Sequence, residues 1–112
     1  MTNVRELEER MLYCLRVLHS FGIIHKDVKP SNMVYSPALQ NFVFIDFGIS
    51  MWVKERPGEQ TKTFREGTFQ YMSPQMKRLD PGCAGWVDLY WNDLYALRMS
   101  LQKLDQMTLR SR

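Results

Sequence analysis

Apolar residues recur at steps of three and four near the start of the chain. Leu7, Met11, Cys14 or Leu15, and Leu18 fall on one face, while Glu6, Glu8, Glu9, Arg10 and Arg16 mostly occupy the others. This spacing predicts an amphipathic helix over residues 4–20. Asn3 followed three residues later by Glu6 fits a capping box at its start, and Gly22 fits a stop. The period then changes. Ile23-Ile24 is a short β-type run, and a polar loop follows from His25 to Asn32. Met33-Val34-Tyr35 and Phe42-Val43-Phe44-Ile45 read as two short strands around a Ser36-Pro37-Ala38 turn, so the pair is expected to form a hairpin. Residues 50–86 show no sustained period and contain Pro57-Gly58, Pro74 and Pro81-Gly82. A stretch of that length without clear elements is usually functional or mobile. Helical spacing returns over residues 87–106, with Leu94, Leu97, Leu101 and Leu104 on one face.

Composition narrows the class without naming it. A chain of 112 residues that is 45% hydrophobic and 24% charged reads as one small soluble domain or part of a larger one, not as a disordered tail. The net charge of +3 is spread along the chain apart from a loose group at Arg110 and Arg112. There is no basic stripe, so no nucleic-acid partner is expected. The polar opening residues do not form a signal peptide, and the most apolar run, Phe42 to Ile45, is too short to cross a bilayer, so no membrane association is expected. Cys14 and Cys83 have neither metal-ligand spacing nor a disulfide framework; Cys14 is expected to be a buried thiol. A reducing, intracellular setting, cytoplasmic by default, is the natural expectation. His19 and His25 read as hydrogen-bonding structural residues, with no matching metal ligands nearby.

The candidate chemistry lies in two short segments. In His25-Lys26-Asp27-Val28-Lys29-Pro30-Ser31-Asn32, a carboxylate, an ammonium and a carboxamide share one loop. The carboxylate can orient a hydroxyl and accept its proton, the lysine can neutralise a phosphate oxygen, and the asparagine can offer an oxygen to a hard cation. That set suits phosphoryl transfer, whose catalysis is mostly positioning and charge stabilisation. In Asp46-Phe47-Gly48 a carboxylate ends a strand beside a residue that lets the backbone turn sharply, which is a good place for a Mg²⁺ ligand.

Together these segments resemble the protein-kinase family. His25 to Asn32 looks like its H-R-D-x-K-x-x-N catalytic loop and Asp46 to Gly48 like its D-F-G triplet. Gly67-Thr68-Phe69-Gln70-Tyr71-Met72-Ser73-Pro74-Gln75 is similar to the stretch that closes the family's activation segment, and Asp93-Leu94-Tyr95-Ala96-Leu97 to the start of its buried αF helix. The resemblance covers about residues 4–104. It implies an α+β kinase C-lobe segment, mainly helical, with a small hairpin carrying the catalytic and metal-binding loops. Within it, 4–20 would be αE, 25–32 the catalytic loop, 46–75 the activation segment and 87–106 αF. The implied partners are ATP, Mg²⁺ and a protein substrate, with Asp27 as catalytic base and Lys29 on the transferred phosphate. Asn32 and Asp46 would hold the metal. Lys29-Pro30 and Thr68 resemble the serine/threonine branch.

Some residues depart from the family pattern. Gln75 stands where glutamate is usual, and Arg98 where glycine is usual. The interval from Gly67 to Asp93 is longer than usual, which makes Asp88 a rival to Asp93 as the anchor of the last helix. No G-x-G-x-x-G loop precedes residue 4 and no V-A-I-K lysine is present, so the resemblance implies weak Mg²⁺-ATP binding and little turnover by this chain alone. A non-catalytic remnant that binds a partner, or an incomplete reading frame, remains an alternative. Ser50, Thr61 and Thr63 are expected to lie in a solvated polar loop; the rival expectation is a phosphorylated Thr63 paired with Lys26, which stands where the family usually has arginine.

Overall fold

The computed structural model describes residues 4–110, with side chains through Met107. Asn3, and with it the expected capping box, lies outside the described residues, as do Arg112 and the Arg110 side chain. The first helix, α1, spans Val4–Ser20, and Met11 and Leu15 form its buried stripe. It ends where Gly22 adopts φ 73 and its N–H donates to His19 O at 3.0 Å. Strand β1 (Ile23–Ile24) follows. A 3₁₀ turn at Pro30–Asn32 then leads into β2 (Met33–Ser36) and β3 (Asn41–Phe44). These two pair antiparallel as the expected hairpin, in the register Met33↔Phe44 to Ser36↔Asn41. Ile45 lies outside the ladder and is exposed.

The stretch 50–86 carries more structure than its lack of period suggests. Strand β4 (Met51–Trp52) pairs with β1, and β5 (Thr61–Thr63) pairs with β6 (Gly85–Val87), both antiparallel. A 3₁₀ turn at Phe69–Tyr71 precedes the short helix α2 (Pro74–Lys77). Ser73 Oγ caps α2 by accepting from Met76 N at 3.2 Å, with Pro74 in the first helical position. The described residues therefore hold three two-stranded sheets where one hairpin was expected. The architecture remains α+β.

The last helix, α3, spans Leu89–Arg110. It starts two residues later than its spacing predicts because Gly85–Val87 is drawn into the ladder with β5. Asp88 Oδ1 caps it by accepting from Trp91 N at 3.1 Å. Two apolar clusters hold these pieces. Met11 and Leu15 of α1, Val28, Met33, Phe44, and Ala96, Leu97 and Leu101 of α3 form the first. Ile24, Met72, Met76, Val87, Leu89 and Tyr90 form the second. Each fully buried Leu, Ile or Met contributes about 1.5–3 kcal/mol relative to exposure. The first cluster packs α1 against both the hairpin and α3, with the 3₁₀ turn before β2 also on α3, which fixes the open end from which both candidate loops project. Cys14 is half-buried rather than enclosed, and its Sγ faces Phe42 O at 3.6 Å. Burial pushes this thiol above its ordinary value, with Arg10 opposing the shift. No helix among the described residues is long and apolar enough to cross a membrane.

Candidate active site

The hairpin register brings the two candidate segments together. Met33 faces Phe44, so Asn32 and Ile45 are the next pair outward, and Ile45 N donates to Asn32 O at 2.9 Å. Asn32 is buried. Its Nδ2 donates to Asp27 O at 2.8 Å, which fixes the carboxamide and folds residues 27–32 into a closed loop. Asp46 follows directly after Ile45, exposed, with φ 60; Gly48 N approaches its Oδ1 at 3.4 Å.

His25 joins the two loops from beneath. It is fully buried, its Nε2 lies 2.8 Å from Ile45 O, and its Nδ1 accepts from Asp27 N at 3.1 Å. Those two contacts place a ring proton on Nε2, facing Ile45 O. The ring also packs on Phe44 and Phe47, with centroids 5.5 and 4.8 Å away. His25 is thus the structural residue the sequence suggested.

Asp27 and Lys29 converge on a third residue, Thr68. Asp27 Oδ1 accepts from Thr68 N at 3.2 Å and from Thr68 Oγ1 at 2.9 Å. Lys29 Nζ donates to the same hydroxyl at 2.9 Å and lies 3.8 Å from Asp27 Oδ2. Thr68 therefore bridges the carboxylate and the ammonium. It is 41 residues from Asp27, and its only signal in the sequence is its place after Gly67.

Of the two rival anchors, Asp93, which Leu94-Tyr95-Ala96-Leu97 favours in the sequence, proves central. Asp93, in the first turns of α3, is fully buried. Its Oδ2 accepts from His25 N at 2.9 Å and faces His19 Nε2 at 2.9 Å, and its Oδ1 accepts from Lys26 N at 2.8 Å. His19 in turn packs edge-on against Tyr90, whose hydroxyl donates to Glu55 O at 2.8 Å. Burial, and then Glu55, Asp88 and Glu59, raise the Tyr90 phenol above its ordinary value. Asp88, the rival anchor, does no more than cap α3 and lend its N–H to Gln75 Oε1 at 2.8 Å.

Lys26 and Asp46 both hold positive φ, at 76° and 60°. Such strain costs about 1–3 kcal/mol per residue and persists where surrounding contacts over-determine it. Thr61 and Thr63 depart from the expected solvated loop: pairing with β6 buries both. Thr61 Oγ1 donates to Glu55 Oε1 at 2.9 Å, and Thr63 Oγ1 lies 2.5 Å from Lys26 Nζ. Ser50 is half-buried and bonds Phe47 O at 2.7 Å. Among the described residues no buried side-chain nitrogen or oxygen lacks a partner.

The oxygen donors near the hairpin mouth suit a hard divalent cation. With its nitrogen committed to Asp27 O, Asn32 can offer only its carboxamide oxygen, and Asp46 offers an exposed carboxylate. Among the described residues no group of three His, Cys, Asp or Glu side chains could hold a metal ion.

Comparison with known proteins bears on the family of the chain. A family model described as "Protein kinase domain" matches residues 1–88. The cell division cycle 7-related protein kinase of Homo sapiens is 34% identical over 74 residues, covering 66% of this chain and 13% of that protein. Its Mus musculus counterpart is 37% identical over 59 residues, covering 53% and 10%. The serine/threonine-protein kinase MPS1 of Saccharomyces cerevisiae is 38% identical over 72 residues, covering 64% and 9%. The chain thus spans about a tenth of the length of these curated relatives. A family match reaching from the first residue to the start of the last helix leaves one reading of its ancestry: the chain belongs to the protein kinase family.

Proposed function

We propose that this chain is the catalytic-loop and activation-segment part of a serine/threonine kinase C-lobe, and that it serves ATP-dependent phosphorylation of protein hydroxyls. The observation that carries the reading is the convergence of Asp27 and Lys29 on Thr68, beside a hairpin mouth that pairs Asn32 with the residue before Asp46. The named kinase relatives support it.

In this reading Asp27 uses Oδ1 to hold Thr68 and keeps Oδ2 for an incoming serine or threonine hydroxyl, which it orients and whose proton it accepts. Lys29, held by Thr68, presents its ammonium to the negative charge of the transferred group. Asn32 and Asp46 would hold Mg²⁺. Bound Mg²⁺-ATP supplies the phosphoryl group and the divalent charge that offsets its oxygens. His25 and Asp93 keep the loop in shape without touching substrate.

The test is transfer of labelled phosphate from ATP to a serine- and threonine-rich protein, by the polypeptide expressed from its full reading frame. Asp27→Asn should lower kcat by about 10²–10⁴-fold while ATP binding persists. Asp46→Ala should abolish the Mg²⁺-dependent part of ATP binding, measured by calorimetry. Undiminished transfer by Asp27→Asn would remove Asp27 from its role. A parent protein that binds a partner but neither ATP nor Mg²⁺ would establish the non-catalytic alternative instead.

A further inference from the structure

Lys26 is the residue least at ease in the site. Its side chain is 1% exposed, and its backbone holds φ 76 directly before Asp27. An ammonium taken out of water needs partners, or its desolvation destabilises the fold by several kcal/mol. Its partners all come from the segment that covers the loop. Glu66 Oε1 lies 2.6 Å from Lys26 Nζ, Thr63 Oγ1 lies 2.5 Å away, and Met51 Sδ completes the set at 3.5 Å. On the backbone side, Asp93 Oδ1 holds Lys26 N.

The connection to the reacting groups is short. Glu66 precedes Gly67, whose φ is 107 and whose α-carbon faces Lys26 O so closely that an added Cβ would sit 2.7 Å from that oxygen. Thr68 comes next and donates twice to Asp27 Oδ1. Glu66, Gly67 and Thr68 thus run alongside Lys26 and Asp27, with an ion pair at one end and the Thr68 contact at the other. Thr63 fixes the far side of the same turn through the β5–β6 ladder.

We infer that Glu66 and Thr63, acting through Lys26, are positioning residues that seat Thr68 on Asp27, and that this segment supplies the counter-charge for Lys26 from its own carboxylate. Glu66 is half-exposed, so removing its charge leaves the fold in place while leaving Lys26 under-compensated. The Lys26 side chain then moves toward water, the strained residue before Asp27 relaxes, and Thr68 loses its seat. No phosphate on Thr63 is needed to hold the segment. The inference rests on the kinase reading of Asp27, but its principal readout does not depend on activity.

Hydrogen exchange at the Thr68 amide reports the contact with Asp27 directly. In the unphosphorylated protein from the full reading frame, Glu66→Gln should lower protection of that amide by about tenfold or more, as expected for losing a charge-assisted bond. Protection of the His25 amide, which depends on Asp93, should stay the same. Glu66→Asp should retain part of the protection, and Thr63→Val should reproduce part of the loss. In phosphoryl-transfer assays Glu66→Gln should lower kcat with KM for ATP unchanged. Unaltered Thr68 protection in Glu66→Gln would overturn the inference, as would protection that arises only after Thr63 is phosphorylated. A protein that shows the exchange effects but transfers no phosphate would keep the positioning role and remove the kinase reading.

Discussion

Asp93 and Asp88 stand five residues apart, and replacing each by asparagine should have very different consequences. Asn keeps the volume of Asp but must turn an NH₂ group toward one side of the site. At residue 93 every side meets a donor. Facing the Oδ1 position, the NH₂ opposes Lys26 N; facing the Oδ2 position, it opposes His25 N. At least one buried backbone N–H is therefore orphaned, at about 1–3 kcal/mol, and the surviving bonds lose their ionic partner at about 1 kcal/mol more. The total, about 2–4 kcal/mol, is a large fraction of the 5–15 kcal/mol typical of a whole domain. At residue 88 the carboxylate caps a helix end near the surface, and asparagine caps about as well as aspartate, so the change should stay within about 0.5 kcal/mol. Urea titration followed by tryptophan fluorescence measures both. With a slope of about 1–3 kcal/mol per molar, Asp93→Asn should lower the midpoint by about 1 M or more and leave the slope unchanged. If Asp93→Asn unfolds at the parent's midpoint, or Asp88→Asn costs as much, Asp93 does not anchor the loop that begins at His25.

Gly67→Ala should destabilise by about 1–3 kcal/mol from backbone strain alone, and more because its Cβ meets the Lys26 carbonyl; a thermal melt indistinguishable from the parent's would contradict that close approach. Tyr90 has its proton held more tightly in the folded protein than in the unfolded chain, because burial and nearby carboxylates disfavour the phenolate. Its contribution to stability is present below its ordinary value of 10.0 and is lost as pH rises through the higher folded value, so Tyr90→Phe should flatten the alkaline limb of a stability profile. Iodoacetamide at pH 8 should label exposed Cys83 well before Cys14, whose thiol is half-buried and shifted upward; mass spectrometry showing Cys14 labelled first would refute the assignment.

The two long helices were legible because a 3.6-residue period is a local property. Met11 and Leu15, and Leu97 and Leu101, needed only their own neighbours to reveal a buried face. The β2–β3 hairpin was legible for the same reason, since its turn and both strands lie within twelve residues. Strands β4 and β5 were not. Met51-Trp52 is too short to show alternation, and Thr61-Lys62-Thr63 is polar, becoming a strand with buried threonines because Gly85–Val87 lies alongside it. The candidate site divides in the same way. Asp27, Lys29, Asn32 and Asp46 could be picked out because each sits in a short recognisable run. Thr68 and Glu66 gain their meaning from contacts across about forty residues, and Asp93 from contacts across about seventy.

That last distance bears on how the protein is made. His25 and Lys26 leave the ribosome first, and the carboxylate that orders them is encoded 67 residues after Lys26. At about 5–20 residues per second, the loop waits about 3–13 s for its anchor to be synthesised. During that interval His25 and Lys26 have no route to their native backbone partners, and the nascent hairpin presents Met33 and Phe44 without the α3 residues that cover them. A ribosome stall just before Asp93 should therefore yield a chain whose hairpin has formed and whose loop from His25 to Asn32 has not. Chaperones that bind exposed apolar surface should recognise the chain most strongly in that window.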